Sequence, residues 1–215
     1  MPQIFHRSSN VLSRASIVFG IVLLISIVLV ANNVTPYTHT LKVAIDQPIP
    51  FSHMHHVEQL GIDCRYCHTS VEKGPFAGIP ATETCYTCHN QVWVNSPLLQ
   101  PVRDSIATDE PMRWNRVNVV PDFVYFDHSI HVAKGVSCYT CHGPVNQMNL
   151  LYKEHAFEMK WCLTCHRNPE EFIREQHEIY NPNYKQPRDK DFGKALVEHY
   201  GINKEQITNC WVCHR

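Results

Sequence analysis

The clearest hydrophobic pattern in the chain is an apolar run close to the N-terminus. Residues 15–34 contain no charged side chain over 20 consecutive positions. As a helix this run is about 30 Å long, the thickness of a bilayer's hydrocarbon core. Arg7 and Arg14 precede it with no acidic residue to balance them, which predicts that residues 1–14 stay in the cytoplasm. We therefore expect a transmembrane anchor over residues 15–34.

A cleaved signal peptide is the alternative for this run, because it has a similar basic start. The run is long for the apolar region of a signal peptide, and residues 29–33 (LVANN) form a poor small-x-small cleavage site. We interpret it as one uncleaved span. Residues 35–50 follow as a polar, proline-bearing linker.

After residue 50 the apolar positions form only short periodic runs between polar loops. The clearest helical run covers residues 189–200, where an aromatic or aliphatic side chain recurs every four residues from Phe192. Asp189 and Gly201 are suited to its two ends. Residues 90–125 favour extended chain interrupted by prolines. The pattern predicts a mainly α-helical fold with much irregular loop.

Two segments of this region repeat one another, residues 51–89 and residues 126–166. They begin FSHMHHVEQLGIDCRYCH and FDHSIHVAKGVSCYTCH. Each has a phenylalanine, a His-x-x-His pair and a Cys-x-x-Cys-His motif, and a second such motif follows 21 or 24 residues later. The chain therefore contains a duplicated module.

The cysteines explain what the modules carry. All 10 cysteines belong to five copies of Cys-x-x-Cys-His, the signature of c-type haem attachment. The two cysteines form thioethers with the haem vinyl groups, and the histidine that follows is placed to ligate the iron. The copies are Cys64, Cys67 and His68 (motif one); Cys85, Cys88 and His89 (motif two); Cys138, Cys141 and His142 (motif three); Cys162, Cys165 and His166 (motif four); and Cys210, Cys213 and His214 (motif five).

Two other interpretations fit this pattern less well. A four-cysteine zinc site needs two Cys-x-x-Cys pairs, so five pairs leave one over. A disulfide framework gives no reason for a histidine after every second cysteine. We expect five covalently bound haems c, and a periplasmic location, because bacteria attach such haems outside the cytoplasm. The formal net charge of -1 gives no indication of nucleic-acid binding.

Residues 51–215 are too few to surround five haems with an ordinary protein core. The haems themselves are then the core, and short helices and loops wrap around them. This is a multihaem cytochrome c fold, made of the two duplicated modules and a fifth haem at residues 210–214. Neighbouring haems lie close together in such a fold, as electron tunnelling requires.

Each iron needs a second axial ligand if it is to transfer electrons only. The strongest candidates are the histidines at matching positions of the repeat, His53 and His56 in the first copy and His128 and His131 in the second. His55 has no histidine counterpart in the second copy and is expected to be a bystander.

Four distal histidines leave one haem without a sixth ligand. The candidates are Met148 and Met159, with His155 and His199 as alternatives. A methionine would raise the potential of that haem well above the others. If all five irons are six-coordinate, no substrate can bind at iron, and the chain on its own is not an enzyme.

The Phe-x-His-x-x-His segments ahead of the motifs resemble those of class III and related multihaem cytochromes. The resemblance implies that the first histidine of each pair ligates the haem just downstream and that the second reaches a different haem. By position, His53 would then serve the haem of His68, and His128 that of His142.

Two further stretches resemble the pentahaem subunit of alternative complex III, a membrane quinol oxidoreductase. They are WNRVNVVPDFVYFDHSIH, from residue 114, and MKWCLTCHR, from residue 159. The resemblance implies an electron relay in the cytoplasmic membrane, from quinol-oxidising subunits to a periplasmic cytochrome c or a terminal oxidase. The implied partners are an iron–sulfur subunit, polytopic quinol-binding subunits and a monohaem cytochrome c.

Two competing functions remain open at this point. A membrane-anchored quinol dehydrogenase of the NapC/NrfH type also joins one anchor to four or five haems, but it oxidises quinol itself and feeds a periplasmic reductase. A multihaem reductase of a small nitrogen or sulfur compound needs a five-coordinate haem with catalytic polar groups around it. Only the relay and the dehydrogenase fit a chain of this length comfortably.

Overall fold

The computed structural model describes residues 5–38, 40–187 and 189–214. The chain divides into two compact units, Met1–Leu41 and Lys42–Arg215. The first contains the apolar run, and the second contains all five Cys-x-x-Cys-His motifs. The very start of the predicted cytoplasmic segment lies outside the described residues.

The first unit is dominated by helix α1, Ser9–Thr38. Its segment Ser9–Asn32 is long and apolar enough to cross a membrane. Leucine, isoleucine and valine side chains along it are exposed. The predicted span 15–34 falls inside this helix. Signal sequences share these properties of length and composition.

The second unit consists of short helices joined by irregular loops. In its described residues there is no β-strand, and two isolated bridges join Ala44 to Tyr152 and Val136 to Ile173. The predicted mainly α-helical fold with much loop is confirmed. The α-helices are α2 (Cys64–Cys67), α3 (Thr82–His89), α4 (Gln100–Thr108), α5 (His128–Ala133), α6 (Cys138–His142), α7 (Met159–Arg167), α8 (Lys190–His199), α9 (Lys204–Ile207) and α10 (Cys210–Cys213).

Each Cys-x-x-Cys-His motif coincides with a helix, namely α2, α3, α6, α7 or α10. Two of these helices begin at a residue whose side chain caps the first turn. Asp63 accepts a hydrogen bond from the Arg65 amide, and Ser137 accepts one from the Tyr139 amide. Because residues three and four apart share one face of a helix, the cysteines and histidine of a motif come together.

The two His-x-x-His pairs lie on similar but unequal turns. His128 and His131 are on α5, whereas the first copy forms a π-helical turn, Met54–Gln59, that starts after His53. The first copy has one residue more than the second between this pair and the next cysteine. A wider π-turn accommodates an extra residue while keeping the histidines on one side.

The protein's own apolar core is small. One cluster contains Ile49, Leu99 and Val102, with Cys85 of motif two packed against it. The other joins Val71, Val132 and Ile179, side chains from both copies of the module and from the C-terminal segment. Neither cluster resembles the single continuous core of an ordinary domain.

Helix α8 is held by a close contact. It begins after Asp189, which caps the Asp191 amide, and Gly201 follows its end with a φ of +59°, as the sequence predicts. A Cβ on Gly193 would lie 2.1 Å from the Glu170 carbonyl oxygen. Only glycine allows this approach, which packs α8 on the segment after α7.

Candidate haem sites

Seven predicted ligand histidines share one hydrogen bond, from Nδ1 to a backbone carbonyl oxygen. A carbonyl oxygen can only accept, so Nδ1 carries the proton and Nε2 of the neutral ring keeps a lone pair for a metal. Metal-ligating histidines are oriented in this way. The acceptors are Ser52 for His56 (2.8 Å), Gly78 for His68 (2.6 Å), Val92 for His89 (3.1 Å), Pro75 for His128 (2.7 Å), Asp127 for His131 (2.6 Å), Ile207 for His166 (2.7 Å) and Phe123 for His214 (3.2 Å).

His55, the expected bystander, differs from these seven. Its Nδ1 lies 2.9 Å from the side-chain oxygen of Gln59, and its ring stacks on exposed Trp93 at 5.9 Å. Its acceptor is thus a side-chain amide, whereas that of His56 is a backbone carbonyl. The His56 ring faces His89 at 6.2 Å, and this ring contact separates His56 from His55, its neighbour in the chain.

Three pairs of histidine rings are spaced as two ligands of one iron would be. Two imidazoles bound through Nε2 on opposite sides of a metal, at a metal–nitrogen distance of about 2 Å, have ring centroids roughly 6 Å apart. The observed pairs are His128 with His142 (6.3 Å, planes at 3°), His131 with His166 (6.2 Å, 31°) and His56 with His89 (6.2 Å, 66°).

His53 lies beside motif one. Burial and then the neighbouring charge of His68 lower the pKa of His53 to about 4. Its Nδ1 is buried without a hydrogen-bond partner, and the Phe51 ring packs edge-on against it at 4.9 Å. Thus the first histidine of each His-x-x-His pair lies near the motif just downstream, and the second faces the later motif of its module.

Burial keeps several of these histidines neutral. Burial, followed by the charge of His128, lowers the pKa of His142 to about 4. Burial is also the largest cause of the lowered pKa of His56 and of His131. A neutral imidazole is the form that binds a metal, and burial favours that form in all three rings.

The cysteines are available for covalent attachment. All ten are free, so no disulfide framework exists. Among the described residues, no three His, Cys, Asp or Glu side chains converge as the ligands of a structural zinc site do. Cys64 and Cys138, the first cysteines of motifs one and three, lie within hydrogen-bonding reach of each other.

A cavity of about 380 Å³ lies between motifs three and four. Thr140 and Cys165 contribute to its lining, and so does Arg174, which stacks on Tyr184 at 4.2 Å. The guanidinium Nε of Arg174 is buried without a partner. A buried arginine donor without a partner suits a carboxylate such as a haem propionate.

Motif five is arranged differently from the other four. Its His214 donates to the Phe123 carbonyl, and the Phe123 ring lies 5.7 Å from the imidazole. The Tyr125 amide donates to the Cys213 carbonyl. Among the described residues, no second histidine ring is paired with His214.

The four candidates for that ligand are scattered. Met148 is buried, at 3% exposure, and its carbonyl accepts a hydrogen bond from the Met54 amide beside the first His-x-x-His pair. Met159, at the start of α7, is 68% exposed. His155 stacks on Trp161, and His199 packs against Tyr200. None of these contacts involves motif five.

Sequence reasoning missed the polar groups around the motifs. No sequence signal pointed to Arg174 or to the carbonyl acceptors, because loops distant in sequence bring them together. Asn118, to which the sequence analysis assigns no role, has a side-chain oxygen buried without a partner. Its place in an irregular loop gave no pattern to read.

The residues present fit covalently bound haem c. The cysteine pairs would supply the attachment points, the histidines with a free Nε2 would ligate the iron, and Arg174 would donate to a propionate. Haem iron ligated by two imidazoles supplies one-electron redox chemistry without an open position for substrate.

Comparison with known proteins identifies relatives of the same kind. Residues 124–215 match the family described as cytochrome c7 and related cytochrome c. The chain is 31% identical over 144 residues, 57% of its length, to the menaquinone reductase multihaem cytochrome c subunit of Nitratidesulfovibrio vulgaris, and it covers 69% of that protein. It is 23% identical over 112 residues, 52% of its length, to the acrylate reductase cytochrome subunit of Shewanella woodyi, 69% of which it covers.

A shorter match, 38% identical over 61 residues, links a quarter of the chain to cytochrome c-552 of Porphyromonas gingivalis, of which it spans 12%. The longer matches extend well beyond one motif and include subunits of two reductases. With the attachment motifs and the histidine geometry, they establish the cofactor as covalently bound haem c and the role as electron transfer. The chain belongs to the multihaem cytochromes c related to cytochrome c7, the family of the menaquinone reductase cytochrome subunit.

Proposed function

We propose that the chain carries five haems c and relays electrons between quinone-reactive membrane subunits and a periplasmic partner. The observation that carries this proposal is the pairing of motif histidines with the His-x-x-His histidines. Imidazoles on both faces of an iron leave no site for substrate, so the bound haems can only pass electrons. Quantifying haem in the intact protein by its alkaline pyridine spectrum tests the number, and fewer than five haems per chain would contradict it.

The proposed ligand sets follow from the ring pairs. We assign His53 and His68 to the first haem, His56 and His89 to the second, His128 and His142 to the third, and His131 and His166 to the fourth. The fifth is held by Cys210, Cys213 and His214, with its sixth ligand among Met148, Met159, His155 and His199. Met159→Leu should lower the potential of one haem, or make it high-spin, if Met159 is that ligand; an unchanged redox titration rejects it.

The direction of flow that we propose is from quinol outward, as in an alternative complex III. Residues 15–34 would anchor the chain in the cytoplasmic membrane, with residues 1–14 in the cytoplasm, residues 35–50 as a linker and residues 51–215 in the periplasm. The partners would be an iron–sulfur subunit, polytopic quinol-binding subunits and a monohaem cytochrome c. Purification in mild detergent with mass spectrometry of the co-purifying subunits tests this assembly.

Flow in the opposite direction is the second candidate, favoured by the name of the Nitratidesulfovibrio relative, a menaquinone reductase subunit. In that case a periplasmic donor would reduce the haems and the membrane subunits would reduce quinone. Mixing the purified complex first with a quinol analogue and then with a reduced periplasmic cytochrome distinguishes the two directions of electron flow. A chain recovered alone that still oxidises quinol would instead be a dehydrogenase of the NapC/NrfH type.

A further inference from the structure

Pairwise contacts connect the five attachment motifs in an order that differs from their order in the sequence. We propose that electrons pass through the motifs in the order two, one, three, four, five. The two duplicated modules would meet head to head, through motifs one and three. This order rests on the proposed function, since it presumes that all five motifs carry haem.

The His-x-x-His pairs set the order within each module. His53 lies beside motif one, while His56 faces His89 of motif two, and the two histidines are three residues apart. In the second module His128 faces His142 of motif three, and His131 on the same helix faces motif four. Each pair therefore holds the two motifs of its module next to each other.

The junction between the modules lies at motifs one and three. Cys64 and Cys138 occupy the same position in the two copies, and their side chains are within hydrogen-bonding reach. Both Nδ1 and the backbone amide of His128 donate to the carbonyl of Pro75, at 2.7 and 3.2 Å, just after motif one. The Ser129 amide donates to the Gly74 carbonyl beside it.

Contact between equivalent residues marks the kind of interface that two identical subunits form about a two-fold axis. Here the two subunits are copies within one chain. Motifs one and three occupy the inside of such a pair, and motifs two and four the outside. A head-to-tail arrangement would instead place motif two against motif three.

Motif five extends the line beyond motif four. His166 of motif four donates to the Ile207 carbonyl in α9, which precedes motif five by two residues, at 2.7 Å. Each side-chain contact described above between two motifs joins motifs that are neighbours in the proposed order.

The proposed order places the electron donor and the electron acceptor at opposite ends of the line. These ends are motifs two and five. Motif one, although first in the sequence, is internal. Motif three is the centre through which every electron passes.

The test is an electron cryomicroscopy structure of the complex purified in mild detergent, with each haem assigned to its motif by its two thioether bonds. The expected result is that the iron of motif three has those of motifs one and four as its nearest neighbours. The order is overturned if the iron of motif two lies closer to the iron of motif three than the iron of motif one does. A missing haem, or a histidine pair other than those assigned, would contradict the proposed function without deciding the order of the haems present.

A matched pair of variants gives a second readout. C85A/C88A removes the attachment at one end of the line and should leave the EPR signal of the haem held by His128 and His142 unchanged. C64A/C67A removes its expected neighbour and should alter that signal. A change of that signal in the first variant and not in the second would overturn the order.

Discussion

At the scale of single residues, hydrogen bonds and ring contacts together indicate which imidazoles are placed to bind iron. A carbonyl acceptor at Nδ1 fixes both the tautomer and the ring orientation, and so presents Nε2. The acceptor at His56 is a backbone carbonyl, and its ring faces His89. The acceptor at His55 is the side-chain amide of Gln59, and its ring stacks on Trp93. These contacts give the two adjacent histidines different roles.

His128→Ala should remove one axial ligand from the haem of motif three. Because the His142 ring remains on the other face, we expect a five-coordinate, high-spin ferric iron in place of a low-spin one. EPR and visible spectra of the oxidised protein measure this. His55→Ala is the matched control and should leave every haem low-spin; a high-spin signal in the control would contradict the role given to His55.

The angles between ring planes predict two kinds of low-spin signal. Nearly parallel imidazoles split the two iron d orbitals that bond to them and give a rhombic EPR signal, whereas strongly crossed imidazoles leave the splitting small and raise the largest g value. His128 and His142 cross at 3°, and His56 and His89 at 66°. His128→Ala should therefore remove a rhombic signal and His56→Ala a high-g signal; loss of one and the same signal in both variants would contradict the geometry.

Arg174→Gln should lower the potential of a haem at motif three or four. The substitution keeps a hydrogen-bond donor but removes a positive charge from the cavity beside Cys165, and a nearby positive charge favours the ferrous form. A redox titration followed by absorption measures the shift. Lys194→Gln, at an exposed position on α8, is the control, and an equal shift there would show that the effect is not local.

At the scale of elements, the sequence predicted what depends on local pattern. The five attachment motifs, the duplication and the helix after Asp189 with its cap can be read because each is periodic or consecutive. The sequence did not predict that the first His-x-x-His pair lies on a π-turn. It also did not predict the partner of each distal histidine from the residues alone, because ring pairing depends on how loops distant in sequence fold back.

Gly193→Ala tests the packing of α8. Alanine is the better helix former by about 1 kcal/mol, but its Cβ would lie 2.1 Å from the Glu170 carbonyl oxygen. Overpacking costs about 1–3 kcal/mol, which exceeds the gain in helix propensity, so the stability of the protein should fall. Thermal unfolding of the holoprotein measures this loss of stability. Gly74→Ala, where no atom lies within 4 Å, is the control and should have little effect.

At the scale of the whole molecule, the haems take the place of a large apolar core. The two clusters around Val102 and Ile179 are small, and the attachment cysteine Cys85 packs against the first. Each cluster joins segments that also hold motifs. Folding and haem attachment should therefore be coupled, because the bound cofactor supplies apolar surface that the side chains alone do not bury.

Deleting residues 1–38 should release the haem domain from the membrane while leaving its spectrum unchanged. For export, the deletion variant needs a cleavable signal sequence in place of α1. Fractionation and carbonate extraction of membranes, followed by haem staining, compare it with the full chain. If the protein expressed from the full chain is also soluble and the cell has cleaved α1 from it, the helix is a signal sequence. The proposed anchor would then be wrong.

The most direct test of the relay is the EPR spectrum of the fully oxidised protein, purified with its partners and with haem quantified in the same sample. We expect five haems per chain, all low-spin, because in the proposed ligand sets imidazole pairs would close four irons and a further ligand the fifth. A high-spin ferric signal equal to one haem per chain would contradict the relay, since it would mean an iron with an open position for substrate.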